Sequence, residues 1–217
     1  VDDAYAAGRS ATRSRRPTLQ QLAESLSEAF ISTDESLLRN TNHSSGTTAV
    51  AALVTETHVI VANAGDSRAC LRRDGQVMRL SVDHKPDRID EEARIKRAGG
   101  FVAHGRVMHT LAVSRAIGDR DFKLMGYKDG SLPFQDSLVI PDPEIRVARL
   151  ADGDELLLAC DGLWDVMSAE MAFDFLHANG AETDAERAVH LLAEAAEEEY
   201  NSLDNITAVY VRMASPE

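Results

Sequence analysis

Aspartates recur in this sequence where apolar, β-rich runs stop or start, each beside a small or turn-forming residue. Asp66 lies in Asn63-Ala64-Gly65-Asp66-Ser67-Arg68, between two such runs, and Gly65 permits a bend that lets the carboxylate face a cavity. Asp161 follows the apolar stretch 156-160, Asp165 comes four residues later, and Asp204 precedes the last apolar run in Ser202-Leu203-Asp204-Asn205-Ile206-Thr207. Placement at strand ends suits a rim site. Carboxylate oxygens are hard donors, the kind preferred by magnesium and manganese, which keep water in the rest of their shell. A binuclear hydrolase would use such a rim. Taken singly, each aspartate also fits a plain turn, because Asp beside Gly is above all a turn signature.

The elements that must position these residues can be read from periodicity. Residues 1-16 are Ala-rich, then Arg- and Ser-rich (Arg9, Arg13, Arg15, Arg16), without an apolar stripe, and read as a helix end followed by a loop. Leu19, Leu22, Leu26, Phe30 and Leu37 recur at helical spacing, and Thr18 with Gln21 behind Pro17 forms a capping-box signature, so an amphipathic helix begins there. Short β-rich runs follow at 47-55, 58-63 and 67-72, then the turn Asp74-Gly75 and 76-80, which together read as an antiparallel meander. Residues 90-98 have helical composition and end at Gly99-Gly100, after which 101-103, 106-108 and 110-115 read as short strands. Between Gly118 and Pro143 no period is sustained, and a loop of that length in a compact domain is usually functional or disordered; a flap is expected over 119-138. Strands are expected at 144-149 and 155-160, the second apolar throughout as if buried on both faces. Helices are expected at 168-178 and 184-200, the latter with Val189, Leu192 and Ala196 inward, before a final strand at 206-212. Runs of strands followed by runs of helices predict an α+β fold, an antiparallel β-sandwich flanked by helices on both faces (α-β-β-α).

Composition narrows the function. The chain has 217 residues, 44% of them hydrophobic, which suffices for one domain with a sizeable core. Its 36 acidic against 23 basic residues, net -13, argue against a nucleic-acid binder held by phosphate contacts. The surplus suits cations, or serves solubility alone. Cys70 and Cys160 each lie in an apolar stretch, which reads as two small buried side chains in a reducing compartment, cytoplasm or nucleus. No run approaches the roughly 18 apolar residues of a membrane span, and no secretory pattern opens the chain. A monomer without membrane or nucleic-acid partners is expected.

Six segments occur in a telling order: Ser45-Gly46-Thr47-Thr48, Asn63-Ala64-Gly65-Asp66-Ser67-Arg68-Ala69, Asp83-His84-Lys85-Pro86, Leu111-Ala112-Val113-Ser114-Arg115-Ala116-Ile117-Gly118-Asp119, Ala159-Cys160-Asp161-Gly162-Leu163-Trp164-Asp165-Val166 and Asp204-Asn205-Ile206-Thr207. They resemble the successive motifs of the metal-dependent protein phosphatases, the PPM or type 2C family. The resemblance implies a protein serine/threonine phosphatase that hydrolyses phosphoserine and phosphothreonine in phosphoprotein substrates with water activated at a binuclear Mn2+ or Mg2+ centre. By the same resemblance Asp161 and Asp204 are ligands of the two ions, and Asp66 and Asp165 help to hold a third, weaker one. Lys85 and Arg115 lie in family motifs near the site, as substrate-binding residues facing the phosphate or as structural ion pairs. His84 reads as structural, and Arg68 and Trp164 as packing or ligand-orienting residues. Uncatalysed phosphate monoester hydrolysis is slow enough that enzymes reach accelerations on the order of 10²¹, which two ions acting together can support without a covalent intermediate. In keeping with that, no Cys-x5-Arg nucleophile loop is present.

The family's Asp-Gly-His-Gly-Gly motif, with its bridging aspartate, carbonyl ligand and general-acid histidine, is not in this chain. Residues 1-7 resemble the helix that directly follows that motif. The general acid is therefore expected upstream of Val1, and no catalytic general acid is assigned here. The chain reads as a single catalytic domain, 1-217, that lacks its N-terminal strands. The alternative is a catalytically inactive phosphatase-like interaction module. Substrate preference is expected from the flap over 119-138.

Overall fold

The computed structural model describes residues 16–123 and 134–214. The reading of 1-16 thus lies outside the described residues except for Arg16, as do residues 124–133 of the expected flap.

Helix α1 (Leu19–Asn40) starts where the capping box places it: Thr18 Oγ1 accepts from the Gln21 amide (3.2 Å), and Gln21 Oε1 accepts from the Thr18 amide (2.9 Å). Strands β1 (Gly46–Thr47), β2 (Ala49–Val54), β3 (His58–Ala64), β4 (Arg68–Arg73) and β5 (Gln76–Arg79) follow, then α2 (Ile89–Arg97), β6 (Val102–Ala103), β7 (Arg106–Val107) and β8 (Ile117–Gly118). A short 3-10 turn, Arg120–Phe122, leads to the second half of the chain. That half holds β9 (Glu144–Arg149), β10 (Glu155–Ala159), α3 (Asp161–Trp164), α4 (Ala169–Ala178), α5 (Ala185–Glu198) and β11 (Ala208–Arg212).

Two antiparallel sheets carry the fold, one in the order β2-β3-β9 and the other in the order β11-β10-β4-β5. Their facing side chains, Val59 and Val61 from one and Ala69, Leu71, Leu156 and Leu158 from the other, form the central core. The outer face of the larger sheet, with Cys70, Leu157, Ala159 and Tyr210, packs on Leu163, Phe173, Leu176 and Leu192 of α3, α4 and α5. On the other side Ala62 and Ala64 pack against Phe30 of α1. The expected α-β-β-α sandwich is therefore present. Every residue of β10 is buried, and burying a leucine fully contributes about 1.5–3 kcal/mol, so the run 156-158 anchors both sides of its sheet.

Two local expectations need correction. Residues 47-80 do not form one meander: β3 pairs with β2 and β9, β4 pairs with β10 and β5, and the chain changes sheets between them. A meander in one sheet would leave a face of β3 in solvent, whereas Val59 and Val61 on one face and Ile60 and Ala62 on the other are all fully buried. Nor is 110-115 a strand. Only isolated bridges, Val107 to Leu111 and Arg115 to Ile140, occur there, and the Ser114 amide and hydroxyl both donate to the His84 carbonyl (2.9 and 3.0 Å), pinning a loop instead of extending a ladder.

Candidate metal centre

The sheet-changing crossover creates the first wall of the site. Gly65 bends the chain at φ +118°, and a Cβ there would lie 2.3 Å from Thr48 Cγ2, so only glycine admits this approach. Thr48 Oγ1 and Ser67 Oγ are hydrogen-bonded at 2.9 Å across the bend. Asp66, between them in sequence, is 5% exposed. The Asp83-His84-Lys85 segment lies alongside: the His84 amide donates to the Gly65 carbonyl (3.0 Å), and the Gly65 amide donates to His84 Nδ1 (3.1 Å). Arg68 closes this wall with two bonds to Asp83 (3.0 and 2.7 Å) and stands over the Trp164 ring, 5.4 Å from its centroid.

The second wall begins where β10 ends. Asp161 opens the single-turn helix α3, and the Asp165 amide donates to the Asp161 carbonyl (2.8 Å), which sets the two aspartates one turn apart. Trp164 is buried and its Nε1 donates to the Ala159 carbonyl (2.8 Å), so the turn is held down at its far end. The loop that bears Asp204 is fastened to this turn. A Cβ on Gly162 would lie 2.3 Å from the Asn205 carbonyl oxygen, Ser202 Oγ donates to the Gly162 carbonyl (2.6 Å), and the Cys160 amide donates to Thr207 O (3.1 Å). Cys160 Sγ adds a bond to Asn205 O and accepts from the Thr207 amide, both at 3.2 Å. Cys160 is therefore a half-buried tie between two acidic loops, whereas Cys70 is the small core side chain its surroundings imply.

The charges of Asp66, Asp165 and Asp204 all act on Asp161. Burial pushes the Asp161 carboxyl above its ordinary range, the charges of Asp66, Asp165 and Asp204 push it further, and Lys85 opposes them. Burial by itself would lower the Lys85 ammonium, but its hydrogen bond to Asp66 and the charges of Asp66, Asp165 and Asp161 hold it above its ordinary value. Like charges gathered in one field, one of them disfavoured by it, fit a hard divalent cation in donor chemistry. Among the described residues no three His, Cys, Asp or Glu side chains stand close enough to enclose an ion. The cation lying directly on Asp66 is Lys85.

Arg115, the other basic residue of interest, is engaged elsewhere: its guanidinium donates twice to Glu91 of α2 (3.1 and 2.7 Å) and once to the Asp142 carbonyl (2.9 Å). Glu91 also accepts from Arg94 (2.8 Å), and although burial alone would raise its carboxyl, these bonds hold it at about 2. His84 is fully buried with Nε2 3.5 Å from Glu144, a structural position. The sequence did not reveal α3, the Cys160 tie or the Glu91 cluster. A helix of four residues shows no period, and neither the tie nor the cluster has a spacing that would announce it.

This fold is that of a known class. A family model described as protein phosphatase 2C matches residues 5–206, and the chain belongs to that family. It is 46% identical to "Probable protein phosphatase 2C 60" of Arabidopsis thaliana over 134 residues, 61% of this chain and 36% of that protein. It is 41% identical to "Protein phosphatase 1B" of Bos taurus over 181 residues, 81% of this chain and 36% of that protein. The crystal structure of serine-threonine phosphatase 2C from Toxoplasma gondii superposes with a TM-score of 0.70 at 29% identity, covering 89% of this chain and 67% of that one. The chain spans a little over a third of the length of the curated relatives it matches.

Proposed function

We propose that this chain carries much of the active centre of a metal-dependent protein serine/threonine phosphatase acting on phosphoserine and phosphothreonine in phosphoproteins. The observation that carries the proposal is Asp161, raised by burial and by the charges of Asp66, Asp165 and Asp204, on a turn locked to the Asp204 loop through Gly162 and Cys160. Asp161 and Asp204 would hold Mn2+ or Mg2+ in a two-ion centre, and Asp66 and Asp165 would help hold a third ion. When bound, the ions supply an activated water and offset the charge of the phosphoryl group. The protein's own work is positional. Gly65 and Thr48 fix the Asp66 bend, Trp164 holds down the α3 turn, and Ser202 and Cys160 keep Asp204 beside it. Lys85, whose ammonium lies on Asp66, would be the cation that meets substrate phosphate. Arg115, bound to Glu91 and Asp142, supports that rim from behind its wall. The segment 119-138 is the proposed flap that selects among phosphopeptides, and the cytoplasm is the proposed location.

A phosphatase-like interaction module is the second reading, favoured by the lack of three enclosing ligands among the described residues. Phosphate release from a phosphothreonine peptide by the intact protein, with and without manganese, separates the two. Manganese-dependent release that Asp161→Asn abolishes supports the phosphatase. Release that ignores manganese or survives the substitution would sink it, and no release under either condition would favour the interaction module.

A further inference from the structure

We propose that His104 and His109 form a metal site of their own, a two-imidazole chelate for a borderline divalent ion of the zinc, copper or nickel kind. The inference stands whether or not the phosphatase reading holds. Both side chains are exposed at the β6–β7 hairpin, and their ring centroids lie 6.2 Å apart with the planes inclined by 33°. An imidazole nitrogen binds such an ion at about 2.0–2.1 Å, which sets the centroids of two rings on one ion roughly 5–6.5 Å apart, so the observed spacing fits. Neutral nitrogen donors suit zinc, copper and nickel, whereas magnesium and manganese prefer carboxylate oxygen. Residues 101-111 contain no aspartate or glutamate, so the hairpin itself offers nothing to a hard ion. Among the described residues no third His, Cys, Asp or Glu completes the group, and water would fill the remaining positions.

The backbone holds the two rings in place under strain. His104 (φ +53°) and Gly105 (φ +70°) turn the chain between β6 and β7, and Met108 (φ +50°) and His109 (φ +63°) turn it again between Val107 and Leu111. A tight turn with two successive positive φ values favours Asn-Gly, because a Cβ is strained in the left-handed region. Met108 offsets its strain by packing on the cluster of Ile95, Val107, Val113 and Leu138. His109 gains no such burial: it stays exposed, with its ring at the edge of Phe101 (centroids 5.0 Å apart, 68° between planes). Strain kept without a packing gain points to a role for the side chain. Both turns are also tied. The Val107 amide donates to the Leu111 carbonyl (2.8 Å), and Arg106 spends a guanidinium N–H on the Thr110 carbonyl (2.7 Å). Closing on an ion therefore needs only rotation of two exposed rings about their own torsions, which keeps the ordering loss small.

Copper titration of the intact protein, followed by the electron paramagnetic resonance of bound Cu2+, tests this. The wild type should show an ion whose nitrogen splitting comes from two imidazoles, displaced by zinc but not by an equal concentration of magnesium. Asp161→Asn should leave that signal unchanged. His104→Asn and His109→Asn each keep a residue that tolerates positive φ, so each should fold with an unchanged or higher melting temperature. Each should also lose the two-nitrogen signal and bind this copper at least about tenfold more weakly, since one arm of the chelate is gone. A two-nitrogen signal that survives in both variants, a copper affinity in either within about twofold of wild type, or displacement by magnesium would each overturn the inference and leave the rings as surface packing.

Discussion

At the scale of single residues, Gly162 decides whether the two acidic loops can meet. Alanine in an ordinary helix position stabilises by about 1 kcal/mol over glycine, yet here its methyl would lie 2.3 Å from the Asn205 carbonyl oxygen. Gly162→Ala should therefore destabilise by roughly 1–3 kcal/mol and weaken manganese binding, as thermal unfolding and metal titration would show. A stabilised variant would mean that the Asp204 loop is not fastened as described. Glu91 gives a second test at this scale. Its folded value, about 2, lies below its ordinary 4.5, so its contribution is present above about pH 4.5 and fades as pH falls towards 2. Glu91→Gln should flatten the acid limb of the stability curve in that window, with a loss on the order of 3 kcal/mol at neutral pH that unfolding at several pH values would resolve. Asp66 and Asp161 stood out in the sequence because a strand end and a neighbouring glycine mark each of them. Ion-pair partners did not: Lys85 meets Asp66 across 19 positions and Arg115 meets Glu91 across 24, and nothing local says which acid captures which base.

At the scale of elements, legibility follows length. Helices α1, α4 and α5 each carry several turns of apolar periodicity, and α1 also carries a cap that could be read residue by residue. Thr18→Ala should cost about 1 kcal/mol by leaving the Gln21 amide without its acceptor, measurable by chemical denaturation. The inward face of α5 shifted slightly: Leu192 and Ala196 are buried as expected, but Ala188 is buried where Val189 is only half so. Strand pairing was harder to see. A β-rich run with apolar residues on both faces says that it is covered twice, not which strand covers it, and the change of sheet at Gly65 depends on contact with Thr48 far along the chain. Gly65→Ala should loosen that crossover, lowering the melting temperature and exposing Asp66. Hydrogen exchange at the Gly65 to Ser67 amides would report the opening, and unchanged protection would argue that Thr48 yields instead.

At the scale of the whole molecule, Asp66 follows β3 of one sheet and Asp161 follows β10 of the other, and helices cover the outer face of each sheet. The order of the six motifs made the family legible, while the three-dimensional pairing of crossover, turn and loop is a product of packing that one-dimensional spacing does not encode. Among the described residues no helix is long and apolar enough to cross a membrane. If the rim binds metal only when folded, manganese at about 100 times its dissociation constant should add roughly 2.7 kcal/mol of stability to the wild type and almost none to Asp161→Asn. The most direct test is anomalous diffraction at the manganese edge from crystals of the intact protein. Peaks held by Asp161 and Asp204 are expected, with a weaker one near Asp66 and Asp165; manganese bound away from all four aspartates, or none bound at millimolar concentration, would contradict the metal centre.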